Sequence, residues 1–346
     1  MLRQQDVGHR IVVRRIVGIR EGRPLFSDAL GELVELSETH LTLATAQGRL
    51  QVPVAQVHRA KRVPPTRRPT AAAVVALERA ADEAWPAPTR DRLGDWLLRS
   101  AEGWTGRANS ALPIGDPDRP LPAAVDAVER WYADQGQPAK INTPLPLAAP
   151  VGAELDARGW ASNPPVLVQT ARLPLTAATD ASRTPTPDSP TASGVPVERA
   201  LTDPAGTAAE RAAVTVELTG TPSEAWLAIA AGRKGGLPDA ARHVLTAVEQ
   251  IRFAHGHVDG TLVAIGRGTV TGQGRWLGLS LIEVLPPARR QGLARAVIGA
   301  LAGWGGSVGA THAFLQVEQR NAGAVALYQR LGFVTHHTYL TRTAPH

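Results

Sequence analysis

Arg289-Arg290-Gln291-Gly292-Leu293-Ala294 follows an apolar run, Leu277 to Leu285, that reads as a strand, and it opens a helix expected to run to about Trp304. A strand-to-helix turn of this composition has the makings of a phosphate grip. The first N–H groups of a helix have no partner within it, and the aligned peptide dipoles add partial positive charge there. Gly292 and Ala294 leave room for a ligand to approach the backbone, while Arg289 and Arg290 bring formal charge to the loop mouth. A pyrophosphate is the natural occupant. Alone the motif is weak, because arginines beside a glycine more often form a solvated turn.

The downstream sequence adds to it. Leu315-Gln316-Val317-Glu318 reads as a short strand, Asn321 follows, and Ala322 to Leu331 reads as a helix carrying Ala324, Leu327 and Tyr328. Leu331-Gly332-Phe333 ends that helix with Gly332 as a left-handed cap, and Val334 to Leu340 reads as a further strand. In order and spacing these blocks resemble the GNAT superfamily of acyl-CoA-dependent N-acyltransferases. That family pairs an Arg/Gln-x-x-Gly-x-Gly/Ala pyrophosphate loop with an Asn, a Tyr and a Leu-Gly-Phe. The match is strongest from Val284 to Val334 and extends over Val197 to Leu340.

The resemblance implies an α/β (α+β) fold with a mixed central sheet flanked by helices, and acetyl-CoA as the donor. It implies that Arg289, Arg290, Gln291, Gly292, Leu293 and Ala294 hold the CoA pyrophosphate. Main-chain groups near Val284 would bind the pantetheine arm and polarise the thioester carbonyl, and Asn321 would touch the cofactor amide or an ordered water. Tyr328 is implied as the general acid that protonates the leaving thiolate. Read without the family, Tyr328 is a helix tyrosine packed under a sheet and Asn321 is a helix N-cap. Glu283 is a candidate general base on the strand bordering the thioester. Glu318 and a water relay stay open beside it, since neighbouring strand residues face opposite sides.

At 346 residues the chain has room for two or three cores. Lys61, Lys140 and Lys234 are its only lysines, so its formal charge of +6 is carried by arginine. CoA phosphates suffice as an anionic partner for that charge, and nucleic acid is not expected. The absence of cysteine excludes disulfides, thiolate metal sites and a Cys nucleophile. His243, His255 and His257 are not spaced for a metal, and a hairpin surface explains the latter two; His312, His336 and His337 lie near strand starts and read as surface positions, so no metal is assigned. No run approaches the roughly twenty apolar residues of a membrane helix, and a cytoplasmic protein is the expectation.

Four regions are expected: a small all-β barrel of the Src-homology or Tudor kind over 1–65, a GNAT-like copy over 70–173, a Pro/Thr/Ser-rich linker over 174–196, and the catalytic copy over 197–346. In the barrel, Arg10 to Val17, Gly31 to Leu36, His40 to Ala44 and Arg49 to Val52 read as strands, with turns at Glu21-Gly22 and Gln47-Gly48. The 70–173 region offers helices at Ala71 to Trp85, Leu121 to Gln135 and Val151 to Arg158, and strands at Asp95 to Ser100, Arg107 to Leu112 and Val166 to Leu173. Ala123 to Trp131 parallels Ala294 to Trp304, and Glu154 to Trp160 can be laid on Leu327 to Phe333. The interval from loop to Gly-aromatic end is about forty residues in each, as two copies of one architecture require. The first copy departs where the chemistry lies: Gly115-Asp116-Pro117-Asp118-Arg119-Pro120 replaces the phosphate loop, and Leu155 stands where Tyr328 stands. In the second copy Arg211 to Leu218 suits a strand, and Ser223 to Ala231 and Ala240 to Val248 suit helices. Ile251 to His257 and Thr261 to Val270 form a hairpin through Asp259-Gly260.

The leading expectation is an acetyl-CoA-dependent N-acetyltransferase acting on a primary amine of a protein or small molecule, with a homodimer left open. The alternative is a CoA-binding regulatory or docking protein that works through its barrel.

Overall fold

Period-two patterning at the start of the chain produces strands, and they run longer than the sequence suggests. The computed structural model describes residues 2–20, 22–45, 48–63, 69–175, 214–234 and 236–345, and the chain divides into two units, Met1–Arg68 and Pro69–His346. In the first unit β1 (Arg10–Arg20), β2 (Arg23–Leu36), β3 (His40–Thr45), β4 (Gly48–Pro53) and β5 (Val57–Arg62) pair in the order β4-β3-β2-β1-β5. Ile11, Val13, Leu33, Leu41, Leu43 and Val52 form its core. The sequence hides β5, whose charged residues leave only Val57 and Ala60 as apolar cues. Glu21, Gln47 and Pro64-Pro65, and the 176–196 part of the expected linker with Val197, lie outside the described residues.

The second unit opens with α1 (Ala71–Glu83), capped by the Thr70 hydroxyl, which accepts from Ala73 N–H at 3.2 Å. A hairpin of β6 (Thr89–Leu93) and β7 (Trp96–Ser100) follows, then α2 (Leu121–Ala133), β8 (Lys140–Leu145), α3 (Ala149–Ala157), β9 (Ala161–Ser162) and β10 (Val166–Arg172). The strand expected over Arg107 to Leu112 is a correction. Arg107–Asn109 forms a 3-10 turn and only Ala111 and Leu112 make isolated bridges. Asn109 explains the turn: its carboxamide accepts from Ala101 and Gly103 N–H and donates to Thr105 O, tying the chain to itself instead of to a strand.

Then come β11 (Val214–Thr219), α4 (Glu224–Lys234), α5 (Asp239–Thr246), β12 (Ile251–Val258), β13 (Thr261–Thr271), β14 (Trp276–Val284), α6 (Leu293–Ser307), β15 (His312–Glu318), α7 (Ala322–Arg330) and β16 (Val334–Thr343). Asp259 and Gly260 both take positive φ, as a two-residue hairpin turn needs. Strands from the whole unit join in one nine-stranded sheet, ordered β11-β12-β13-β14-β15-β10-β16-β8 with β9 on β16. Among the named strands of the described residues only β14 and β15 pair in parallel, which requires the crossover through α6. At Gly266 an added Cβ would stand 2.5 Å from Val297 Cγ1, so its missing side chain lets α6 press against β13.

Strand exchange joins the two halves. β10 lies between β15 and β16, pairing with both. The last part of β16 lies in turn between β8 and β9. Arg342 of β16 pairs with Asp156 of α3, and Thr341 Oγ1 donates to Asn142 Oδ1 at 2.8 Å. Each half thus receives an inner strand from the other.

Candidate active site

The pairing of β14 with β15 runs from Trp276–His312 to Leu279–Leu315 and stops there, although both strands continue. A bulge opposite Gly266 causes the parting: Ser280 faces Arg267 and Glu283 faces Ile265, with Leu281 at φ 51° between. β14 therefore leans toward β13 while β15 stays on β10. A gap opens at the carboxyl ends of two parallel strands, the place where α/β sheets take their ligands.

Backbone polarity in this gap follows from register. Leu285 N–H donates to Val263 O at 2.9 Å, so the neighbouring Ala264–Val284 pair is a non-bonded one, and the Val284 N–H and C=O point away from β13 into the gap. Arg289 Nε donates to Val284 O at 3.0 Å, which folds the loop back over the strand end. Gly292 caps α6 in left-handed conformation, φ 85°, where no Cβ would clash. The glycine is needed for its backbone angle, and the room it leaves is secondary. Arg289, Arg290, Gln291 and Gly292 are exposed, and Leu293 is buried beneath them. Cradle, helix N-terminus and inward N–H fit an extended ligand with a phosphate end.

Across the gap Asn321 Oδ1 accepts from Ala324 N–H at 3.2 Å and caps α7. Its NH2 group takes no part in that bond. Tyr328, in α7, is buried against Leu293, Leu331 and Phe333. Glu283 is opposite Ile265, whose side chain packs with Trp85 and Trp226, and cross-strand partners share a face. Tyr328 and Glu283 therefore flank the gap from opposite faces of the sheet. Glu318 is committed to an exposed pair with Arg320 at 2.6 Å.

Two histidines expected at the surface are buried. His255 accepts at Nε2 from Ser223 Oγ–H at 3.0 Å with Nδ1 3.3 Å from Phe253 O, and burial lowers its pKa. His337 meets Glu78 Oε1 through Nε2 at 2.7 Å. Strand alternation alone could not say which face of β12 or β16 a neighbouring layer covers; here it is α4 and α1 respectively. His336 and His312 are half-buried.

Sequence reasoning also missed the residues that roof the Glu283 face. Trp85, just beyond α1, stacks on Trp104 at 5.5 Å between ring centres, and Arg107 and Arg267 each place a guanidinium 5.1 Å from the Trp85 ring. No local pattern announces the cluster, because Trp85, Trp104 and Arg107 meet through the fold of the first half and Arg267 joins them from the second.

The sequence profile of the family described as the probable histone acetyltransferase Rv0428c C-terminal region matches twice, over residues 71–193 and 187–341. This chain belongs to that family. It is a GNAT-type acetyltransferase in fold and kind. Similar proteins include the probable histone acetyltransferase Rv0428c of Mycobacterium tuberculosis, 29% identical over 97% of this chain and 95% of the relative. The uncharacterized N-acetyltransferase YobR of Bacillus subtilis is 26% identical over 76% of this chain and 96% of its own. A GCN5-related N-acetyltransferase from Kribbella flavida superposes with a TM-score of 0.56 at 15% identity, covering 81% of this chain and 97% of that one. The GNAT fold and mixed sheet expected from the sequence are thus present. Among the described residues no helix is long and apolar enough to cross a membrane.

Proposed function

We propose that this family member transfers an acetyl group from acetyl-CoA to a primary amine by direct attack on the thioester. The observation that carries this reading is the gap between β14 and β15, with the Val284 N–H aimed into it and the α6 N-terminus at its mouth. Arg289, Arg290 and the N–H groups from Gln291 to Ala294 would hold the pyrophosphate. Val284 N–H would donate to the thioester oxygen as it gains charge, a kind of contact worth a few kcal/mol.

The amine nitrogen then attacks the carbonyl carbon and gives its proton to Glu283, directly or through water. The C–S bond breaks, and the Tyr328 phenol protonates the departing sulfur. Opposite faces for the two residues keep acceptor and leaving group on separate sides of the gap. Asn321 would present its NH2 group to the donor while capping α7. On the same reading residues 71–172 are a copy that has lost its donor grip, residues 1–68 are an accessory module, and the protein works in the cytoplasm.

Titration with acetyl-CoA by calorimetry, paired with thiol release against an amine panel, tests the reading. Saturable one-to-one binding with amine-dependent release of CoA is expected. Binding with no turnover for any amine would instead favour a CoA-binding regulator.

A further inference from the structure

Six arginine and acid side chains gather around α1 on the Glu283 face, and all but one are matched. Asp82 takes Arg90 and, at 3.2 Å, Arg99; Glu78 takes His337. Arg99 also donates to Ser110 O and Oγ. Arg267 is fully buried, yet it donates to Val244 O, Leu245 O and Ala84 O, closing the carboxyl ends of α5 and α1. It is a structural staple. Burial and the neighbouring Arg107 lower its pKa to about 9.

Arg107 differs. Among the described residues it makes no ion pair, and its Nε, shielded from solvent, has no hydrogen-bond partner. A shielded guanidinium N–H without an acceptor is costly, by an amount comparable to a lost charged hydrogen bond.

Its place is informative. One neighbour is Arg267, which faces Ser280 on β14. Another is Tyr339, whose hydroxyl donates to Gln316 on β15, one residue beyond the last β14–β15 pair. Arg107 thus stands over the gap, on the side from which Glu283 would take a proton. The side chain of Gln316 also keeps a buried Nε2 without an acceptor there.

We propose, on the acetyltransferase reading above, that the acceptor amine also carries a carboxylate and that Arg107 receives it. A guanidinium edge of Nε–H and one Nη–H matches the two oxygens of a carboxylate in one plane, and Nε is the group left open. Gln316 Nε2 would be a second donor to the same group. The residue belongs to the half without the donor grip, so the two halves divide the substrates: one holds acetyl-CoA and the other reads the acceptor.

Matched pairs test this on the full chain: lysine against cadaverine, arginine against agmatine, tryptophan against tryptamine, and peptides with free or amidated C-termini. The carboxylated member should be preferred by on the order of tenfold or more in kcat/KM. Arg107→Gln should raise KM for that member by a similar factor, leave KM for acetyl-CoA unchanged and erase the preference. Arg107→Lys should restore part of it. Calorimetry with each pair in the presence of CoA gives a readout independent of turnover, and acetyl-CoA binding alone reports on the underlying acetyltransferase reading. Equal use or equal binding of the decarboxylated partners overturns the proposal, as does a folded Arg107→Gln with unchanged acceptor KM. Preference for a phosphorylated amine over the carboxylated one also overturns it. Should Arg107→Gln fail to fold, the preference of the parent chain decides alone.

Discussion

Ahead of α2, the turn from Gly115 to Pro120 spends its acids on its own backbone. Asp95 accepts from Asp116 N–H at 3.0 Å and Asp116 from Asp118 N–H at 2.8 Å, and prolines at 120 and 122 remove donors from the helix start. Ahead of α6, Arg289 bends back to the strand end and Gly292 turns the chain so that the helix begins with open N–H groups. Further along, α3 buries Leu155 completely where α7 carries Tyr328. Two similar frames therefore differ in what their helix starts can hold. A helix start with open N–H groups behind a left-handed residue is what an anion site requires, and of the two starts the one at Gly292 has that form.

The two halves should differ most when they are separated. A chain limited to 197–346 lacks β10, leaving β15 and β16 with open edges, and it is expected not to fold; a chain of 69–346 should melt cooperatively. Circular dichroism and solubility report both, and a stable, soluble 197–346 would refute the dependence. Next in size, Tyr328→Phe should lower kcat by about 10²- to 10⁴-fold with CoA affinity unchanged. Leu155→Ala should instead cost about 2–5 kcal/mol of stability with no direct effect on chemistry. An unchanged rate in Tyr328→Phe removes its acid role.

Gly292→Ala forces a side chain into the left-handed region at a cost of about 1–2 kcal/mol, and should weaken CoA binding by about tenfold in calorimetry. Gly115→Ala should leave that affinity alone while lowering Tm, since its Cβ would fall 2.4 Å from Asp95 Oδ2. The smallest effect concerns His336, which burial and His337 push from 6.5 down to about 4. The unfolded chain binds more protons across that window, so stability falls as pH drops from about 6.5 to about 4. His336→Gln should flatten this decline by a few degrees of Tm.

Much of the backbone around the candidate site is legible in the sequence because it is local. The 289–294 loop, the Asn321 cap and the Gly332 end are each written in a few consecutive residues, and all three have the expected backbone form. The β8 strand was not legible, because Pro144 and Asn142 break its apolar run and its pairing partner is nearly two hundred residues away (Thr143 and Leu340 are separated by 197). Arg107 reads as a strand residue because nothing nearby announces the Asn109 turn. His337 reads as a surface position because the Glu78 that it meets belongs to the other half.

The exchange of strands also sets an order of assembly. A ribosome delivers α1 to β10 before β11 to β16, yet β8 waits for residues 338–343, and closing so long a loop is slow. Until then the early half holds an open edge, and β10 has no β16 beside it. Synthesis that stops before residues 338–343 leaves neither half with its full set of strands.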